Sequence, residues 1–186
     1  QEISNGKAIG WFQGRAEFGP RSLGNRSIIA DPRSENMQKT LNLKVKFRES
    51  FRPFAPSVLK EKVSEYFDIQ HVSPYMLFVA NINEKIKIPT SQEQNKLFGI
   101  DRLNVKNSLI PAVTHVDYSA RVQTVDKKIN LKFYQLKKEF DKITNCPILV
   151  NTSFNIHKFP IVETIDDVLH VFKNTNLDKI IIDNFE

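Results

Sequence analysis

At 186 residues the chain suits one domain with a packed core; one cysteine, no apolar run of membrane-span length and no signal peptide argue against a disulfide framework or membrane anchor and for a cytoplasmic protein. The formal net charge is +6, and residues 1–62 hold the whole excess, 12 Lys/Arg against 6 Asp/Glu, while residues 63–186 carry 15 of each sign. Six of the eight arginines lie between Arg15 and Arg52, an asymmetry that points to an anionic partner, either a nucleic acid or a small phosphorylated compound.

In chain order, Ala8 to Gln13 (AIGWFQ) is a short apolar run that reads as a buried strand. It enters Gly14 to Arg26, GRAEFGPRSLGNR, which interleaves three glycines with three arginines and one acid. Glycine lets backbone approach a ligand closely, and the arginine fork matches phosphate or carboxylate oxygens, so this loop is a candidate anion site. Ser27 to Ala30 is a second strand. Ser34 is placed to cap a helix over residues 35–42, with Glu35 in its first turn. An extended Lys44 to Arg52 (KVKFRESFR) would put Lys44, Lys46 and Arg48 on one face, either a solvated edge or an anion-binding surface. Arg52, between Phe51 and Pro53-Phe54, reads as held for a contact. Two prolines make Phe51 to Leu59 extended and irregular.

Lys60 to Phe67 fits a short amphipathic helix with Val63, Tyr66 and Phe67 inward, and Tyr75 to Ile82 fits a strand. The polar segment 83–108 reads as a surface excursion. Ala112 to Val116 and Ala120 to Val125 are predicted strands. Leu131 to Ile143 has helical spacing at Leu131, Tyr134, Leu136, Phe140 and Ile143. Ile148 to Val150 is a buried strand leading into Asn151 to Asn155 (NTSFN). Strand ends are where α/β sheets bind ligands, although the same residues also favour turns and caps. Thr164 and Asp167 resemble a capping box before a helix, and Lys179 to Ile182 closes the sheet. Helices alternate with strands, so the fold class is α/β (α+β) with a mixed sheet.

The chemistry narrows by subtraction. His71, His115, His157 and His170 show no zinc-ligand spacing, the glycine loop lacks a GK[ST] ending, and no Ser-His-acid or Cys-His arrangement emerges. Cys146 reads as a buried structural thiol. Arg121, inside ARVQTV, is either an exposed strand residue or a site residue. What remains is a site of arginine, lysine and neutral amides, the kind that positions phosphates in phosphoryl and adenylyl transfer.

Four ordered motifs, GWFQGRAEFGPRSLGNRSIIADPR, VKFRESFRPFAPSV, ARVQTV and PILVNTSFN, closely resemble the C-terminal domain of the nodulation and antibiotic O-carbamoyltransferases. The resemblance covers nearly the whole chain. It implies a YrdC-like twisted mixed β-sheet flanked by helices over residues 1–186. It also implies a Kae1-like N-terminal domain in the full protein, carrying the iron-type metal site and the acceptor site. An opening at Gln1 rather than methionine fits a piece of such a protein. The implied reaction takes carbamoyl phosphate and ATP, with magnesium as the companion of ATP, to carbamoyladenylate and pyrophosphate. The carbamoyl group then passes to a hydroxyl of a sugar or natural product, and this domain alone would carry out at most the first half.

By the resemblance, Lys46, Arg52 and Arg121 are catalytic. Those three with Arg21, Asn151 and Ser153 bind nucleotide and carbamoyl phosphate, Arg15 and Glu17 brace the glycine loop, and no metal is held here. The implied partners are the two substrates and the N-terminal domain, with a homodimer as a further assembly. The family has a glycine and an acid after NTSFN where this chain has Ile156-His157-Lys158-Phe159, which leaves the turn before Pro160 open. RNA binding, as in YrdC-like tRNA-modification proteins, is the competing reading; arginines set in glycine turns without an RNP-type aromatic pattern weigh against it.

Overall fold

Short apolar runs, spaced by glycine- and proline-bearing loops, pair into a mixed sheet. The computed structural model describes residues 1–103 and 105–185. Its strands are β1 (Ile9–Phe12), β2 (Arg26–Ala30), β3 (Ala55–Leu59), β4 (Phe78–Asn81), β5 (Ser119–Val125), β6 (Ile148–Ser153) and β7 (Lys179–Ile182). They form a seven-stranded sheet in the order β4-β5-β3-β6-β2-β1-β7. β1 pairs in parallel with β7 and β3 with β5, and the other pairs are antiparallel. The α-helices among the described residues are α1 (Met37–Thr40), α2 (Val63–Tyr66), α3 (Gln92–Asn95), α4 (Ile100–Leu103), α5 (Leu131–Thr144) and α6 (Ile165–Lys173). The molecule therefore has the mixed, helix-flanked sheet that the resemblance implies.

The central strands are buried end to end, because layers cover both faces of the sheet. Ile28, Ile29, Val58, Ile148, Leu149 and Val150 are fully enclosed, each contributing about 1.5–3 kcal/mol of burial. α5 packs against β3 and β6, while α6 packs against β1 and β7. Thr164 and Asp167 form the capping box that starts α6.

The helix after Asp31-Pro32 begins later and runs further than a Ser34 cap predicts. α1 follows Asn36 and continues as a π-helical stretch, Leu41–Lys46, ending at Phe47 with φ 49°. Met37, Leu41 and Val45, four residues apart, bury one helical face, and that periodicity overrides the extended reading. Lys44, Lys46 and Arg48 therefore share no strand face: Lys44 is exposed, Lys46 is only 2 % exposed and Arg48 is half-buried.

Other elements shift for identifiable reasons. Pro111–Val113 is a 3-10 turn rather than the start of a strand, since Pro111 presets its first φ. β4 begins only at Phe78, after Met76 turns left-handed at φ 56°. The stretch after Phe51 is irregular only as far as Phe54. β3 then carries Pro56 opposite Val150, with β5 on its other side, so one ladder donor is missing there. On α5 the buried residues are Phe133, Lys137 and Phe140, while Leu131 and Ile143 are exposed. The turn after β6 closes through Phe159 N–H to Ile156 C=O (3.0 Å), with Lys158 at φ 72°. A lysine thus takes a left-handed position that glycine would hold without the usual cost of about 1–2 kcal/mol.

Candidate active site

The glycine–arginine loop is held by its own acid and one of its own arginines. Glu17 Oε1 accepts the backbone N–H groups of Leu23 (2.8 Å), Asn25 (2.6 Å) and Arg26 (3.2 Å). Arg26 is buried against the Phe12 ring, 3.5 Å from its centroid, and donates to the carbonyls of Gln13, Asn25 and Gly14 at 2.9–3.0 Å. Gly24 sits at φ +116°, and a Cβ there would fall 2.3 Å from Phe133 Cδ1, so only glycine fits the base of the loop. Bracing thus falls to Glu17 and Arg26, while Arg15 is exposed.

With the loop fixed, Arg21 and Ser22 help to line a cavity of about 140 Å³. Arg48, Pro53, Phe54, Met76, Arg121, Asn151 and Ser153 also contribute to its wall. The sheet explains the meeting: Asn151 on β6 pairs with Ala55 at the start of β3, and Arg121 lies two residues before Gln123, which pairs with Ser57. Three arginines therefore border one small space whose lining has no carboxylate. Burial, and then the charge of Arg21, lowers the pKa of Arg121; burial, and then Arg52, lowers that of Arg48. Both remain cationic at neutral pH, so the free cavity carries unneutralised positive charge.

Arg48 is positioned by Asn42, whose Oδ1 accepts from Arg48 Nε at 2.6 Å, and by the Phe54 ring 5.0 Å away. Asn42 in turn donates to the carbonyls of Ser50 and Arg52. Arg52 itself lies outside the lining, in an exposed pair with Glu49 at 2.8 Å. Lys46 does not line the cavity either. Its buried ammonium reaches the carbonyl and hydroxyl of Ser153 and the carbonyl and Oδ1 of Asn155, so it stands behind Ser153. Burial, and then Arg48, pushes its pKa well below the usual lysine range.

Of the residues predicted from sequence, Arg21, Arg121, Asn151 and Ser153 thus converge on one cavity, with Glu17 and Lys46 supporting its walls. Arg48 entered the sequence reading only with Lys44 and Lys46 on a strand face, and Gln123 was not singled out; Phe54, which drew attention to Arg52, packs against Arg48 instead. Of the side-chain atoms buried without a hydrogen-bond partner among the described residues, Arg121 Nε, Ser22 Oγ and Asn151 Oδ1 belong to residues that line the cavity, whereas Arg26 Nε and Ser57 Oγ lie outside it. Each such atom costs about 1–3 kcal/mol until it is satisfied.

Pro53 also borders a larger groove of about 400 Å³, whose lining includes Glu35, Gln38, Phe51, Lys106, His115 and Asp117. His115 Nδ1 lies 3.1 Å from Ser119 Oγ, whose proton goes to Asp117 Oδ1 at 2.6 Å. Nδ1 therefore carries its hydrogen and Nε2 its lone pair. Burial lowers the pKa of His115, with Asp117 opposing and Arg121 reinforcing the shift. No cluster of three His, Cys, Asp or Glu that could hold a metal occurs among the described residues. Nor is any helix there long and apolar enough to cross a membrane.

The family model described as "Carbamoyltransferase C-terminus" matches residues 1–186. The chain belongs to that family. It is 54% identical over 183 residues to an uncharacterized protein of Synechocystis sp., covering 98% of this chain and 30% of that protein. It is 42% identical over 186 residues to nodulation protein NolO of Bradyrhizobium diazoefficiens, again covering 98% and 30%. The domain thus spans 30% of the length of these curated relatives. Among solved structures it is similar in fold to full-length HypF in a phosphate- and nucleotide-bound form, with a TM-score of 0.57 and 15% identity, over 98% of this chain and 24% of that one.

Proposed function

We propose that this domain is the carbamoyl-activating part of an O-carbamoyltransferase, binding carbamoyl phosphate and ATP and forming carbamoyladenylate. The observation that carries the reading is the convergence of Arg21, Arg48 and Arg121 on a cavity lined by no acid, in a member of the carbamoyltransferase C-terminus family. A phosphate or acyl phosphate neutralises that charge and gives Arg121 Nε and Ser22 Oγ their missing acceptors. The structural likeness to HypF, whose solved form holds phosphate and nucleotide, is consistent with nucleotide use.

The reaction balances as carbamoyl phosphate, ATP and one water giving carbamoyladenylate, phosphate and pyrophosphate. Water cleaves carbamoyl phosphate to carbamate and phosphate; a carbamate oxygen then bonds to the α-phosphorus of ATP as the bond to pyrophosphate breaks, and negative charge spreads over the departing oxygens. Guanidinium groups fixed beforehand stabilise that charge without reorganising. The larger groove across Pro53 has room for the nucleoside. Because the small cavity lacks carboxylates, magnesium would arrive held by the triphosphate rather than by the protein. Lys46 and Arg52 act from outside the lining, Lys46 through Ser153 and Arg52 through its charge on Arg48. The hydroxyl acceptor and the metal site belong to the remainder of the protein, in a Kae1-like domain. RNA binding finds less support, since the arginines converge into a cavity instead of lying along an open track.

The test is pyrophosphate release from ATP in the presence and absence of carbamoyl phosphate. Dependence on carbamoyl phosphate is expected, and Arg121→Ala should lower the rate by about 100-fold or more, the usual loss when a charge-stabilising donor is removed. Undiminished release by Arg121→Ala and Arg48→Ala would sink the reading.

A further inference from the structure

Asn151 lies in the interior of β6, only 1 % exposed, and both hydrogens of its amide are committed. Nδ2 donates to Ser22 C=O at 3.0 Å and to Gln123 Oε1 at 2.7 Å. Gln123 is fixed in turn, because its own Nε2 donates to Leu23 C=O at 2.8 Å. Carbonyls accept and never donate, so the Ser22 and Leu23 carbonyls pin both amides in one orientation. The consequence is an Asn151 oxygen with nothing to accept, in a wall whose charged members are all arginines.

A ligand complementary to this wall is anionic at one end and carries N–H at the other. Phosphate oxygens answer the arginines, and only a nitrogen-bearing acyl group answers Asn151 Oδ1. Acetyl phosphate has nearly the shape of carbamoyl phosphate but replaces NH₂ by CH₃, leaving the buried oxygen orphaned. We propose that Asn151 Oδ1 accepts the carbamoyl N–H and so selects carbamoyl over acetyl phosphate, with Gln123 as the residue that positions it. This inference rests on reading the arginine cavity as the carbamoyl phosphate site. Sites built to pair with a polar hydrogen reject analogues that lack it more strongly than apolar pockets reject a missing methylene.

Calorimetry in the cold with fresh carbamoyl phosphate, acetyl phosphate and inorganic phosphate, at matched ionic strength, separates the outcomes. Carbamoyl phosphate is expected to bind at least about tenfold more tightly than acetyl phosphate. Gln123→Leu removes one of the two acceptors of the Asn151 amide and leaves Ser22 C=O alone to hold it, so Oδ1 is less firmly aimed and the ratio should fall while inorganic phosphate affinity holds. Gln123→Glu keeps an acceptor for Asn151 Nδ2; its charge should weaken both acyl phosphates while preserving their ratio. Equal wild-type affinity for the two acyl phosphates overturns the selection by Asn151 but leaves the anion site standing. An unchanged ratio in Gln123→Leu overturns the positioning role. Binding of none of the three overturns the reading of the cavity itself.

Discussion

Glu17 directs its carboxylate at three backbone amides within its own loop, which makes it the staple of the cavity's outer wall. Those bonds are charge-assisted, so Glu17→Gln should cost about 1.5–3 kcal/mol in urea denaturation. Phosphate affinity should fall with it, because Arg21 and Ser22 lie between Glu17 and the amides it holds. A variant as stable as the wild type with full phosphate affinity would show that the loop holds itself. At this scale much of the site was legible from the four family motifs, which carry Arg21, Arg121, Asn151 and Ser153; residue type alone did not separate them from structural residues such as Arg26, which braces the loop. Which arginine enters the cavity was not legible. Arg48 and Arg52 each follow a phenylalanine, and the Pro53-Phe54 that follows Arg52 points to the wrong one; the ion pair with Glu49 and the Asn42 contact separate them only after folding.

Element by element, local rules succeed where one periodicity dominates and fail where two compete. β1, β2, β5, β7 and the α6 capping box are short-range patterns with a single solution. α5 is different. Its helical period is clear, yet the buried face is rotated to include Lys137, whose ammonium donates to Ser57 C=O and lies 4.8 Å from the Phe133 ring centroid. Burial pushes the pKa of Lys137 well below the usual value. Between that lowered value and about 10.4, the unfolded chain holds a proton that the folded chain does not. Stability therefore rises with pH across this window. Lys137→Met should remove that slope and stabilise the fold by about 1–4 kcal/mol at pH 7, with the advantage shrinking as pH nears 10. Identical pH dependence in both proteins would mean that Lys137 stays charged when folded.

For the whole molecule, the charge excess of the first third proves to be concentrated in part at one concave site. Like charges brought together there raise the energy of the empty fold, and an anion should relieve it. At a phosphate concentration about 100 times Kd, binding contributes about 2.7 kcal/mol. For a chain of this size that corresponds to a rise in Tm of about 5–11 °C, whereas chloride at matched ionic strength should give far less. Equal shifts with the two salts would reduce the effect to screening. The sequence by itself determined the α/β class, the family and the chemical character of the site, because hydrophobic period and residue type are local properties. Only the tertiary structure decided that Arg48 enters the cavity, that Lys46 stands behind Ser153, and that Gln123 orients Asn151. Those outcomes depend on strand register and on which backbone carbonyls a loop presents to side chains about a hundred residues away, and no local pattern encodes either.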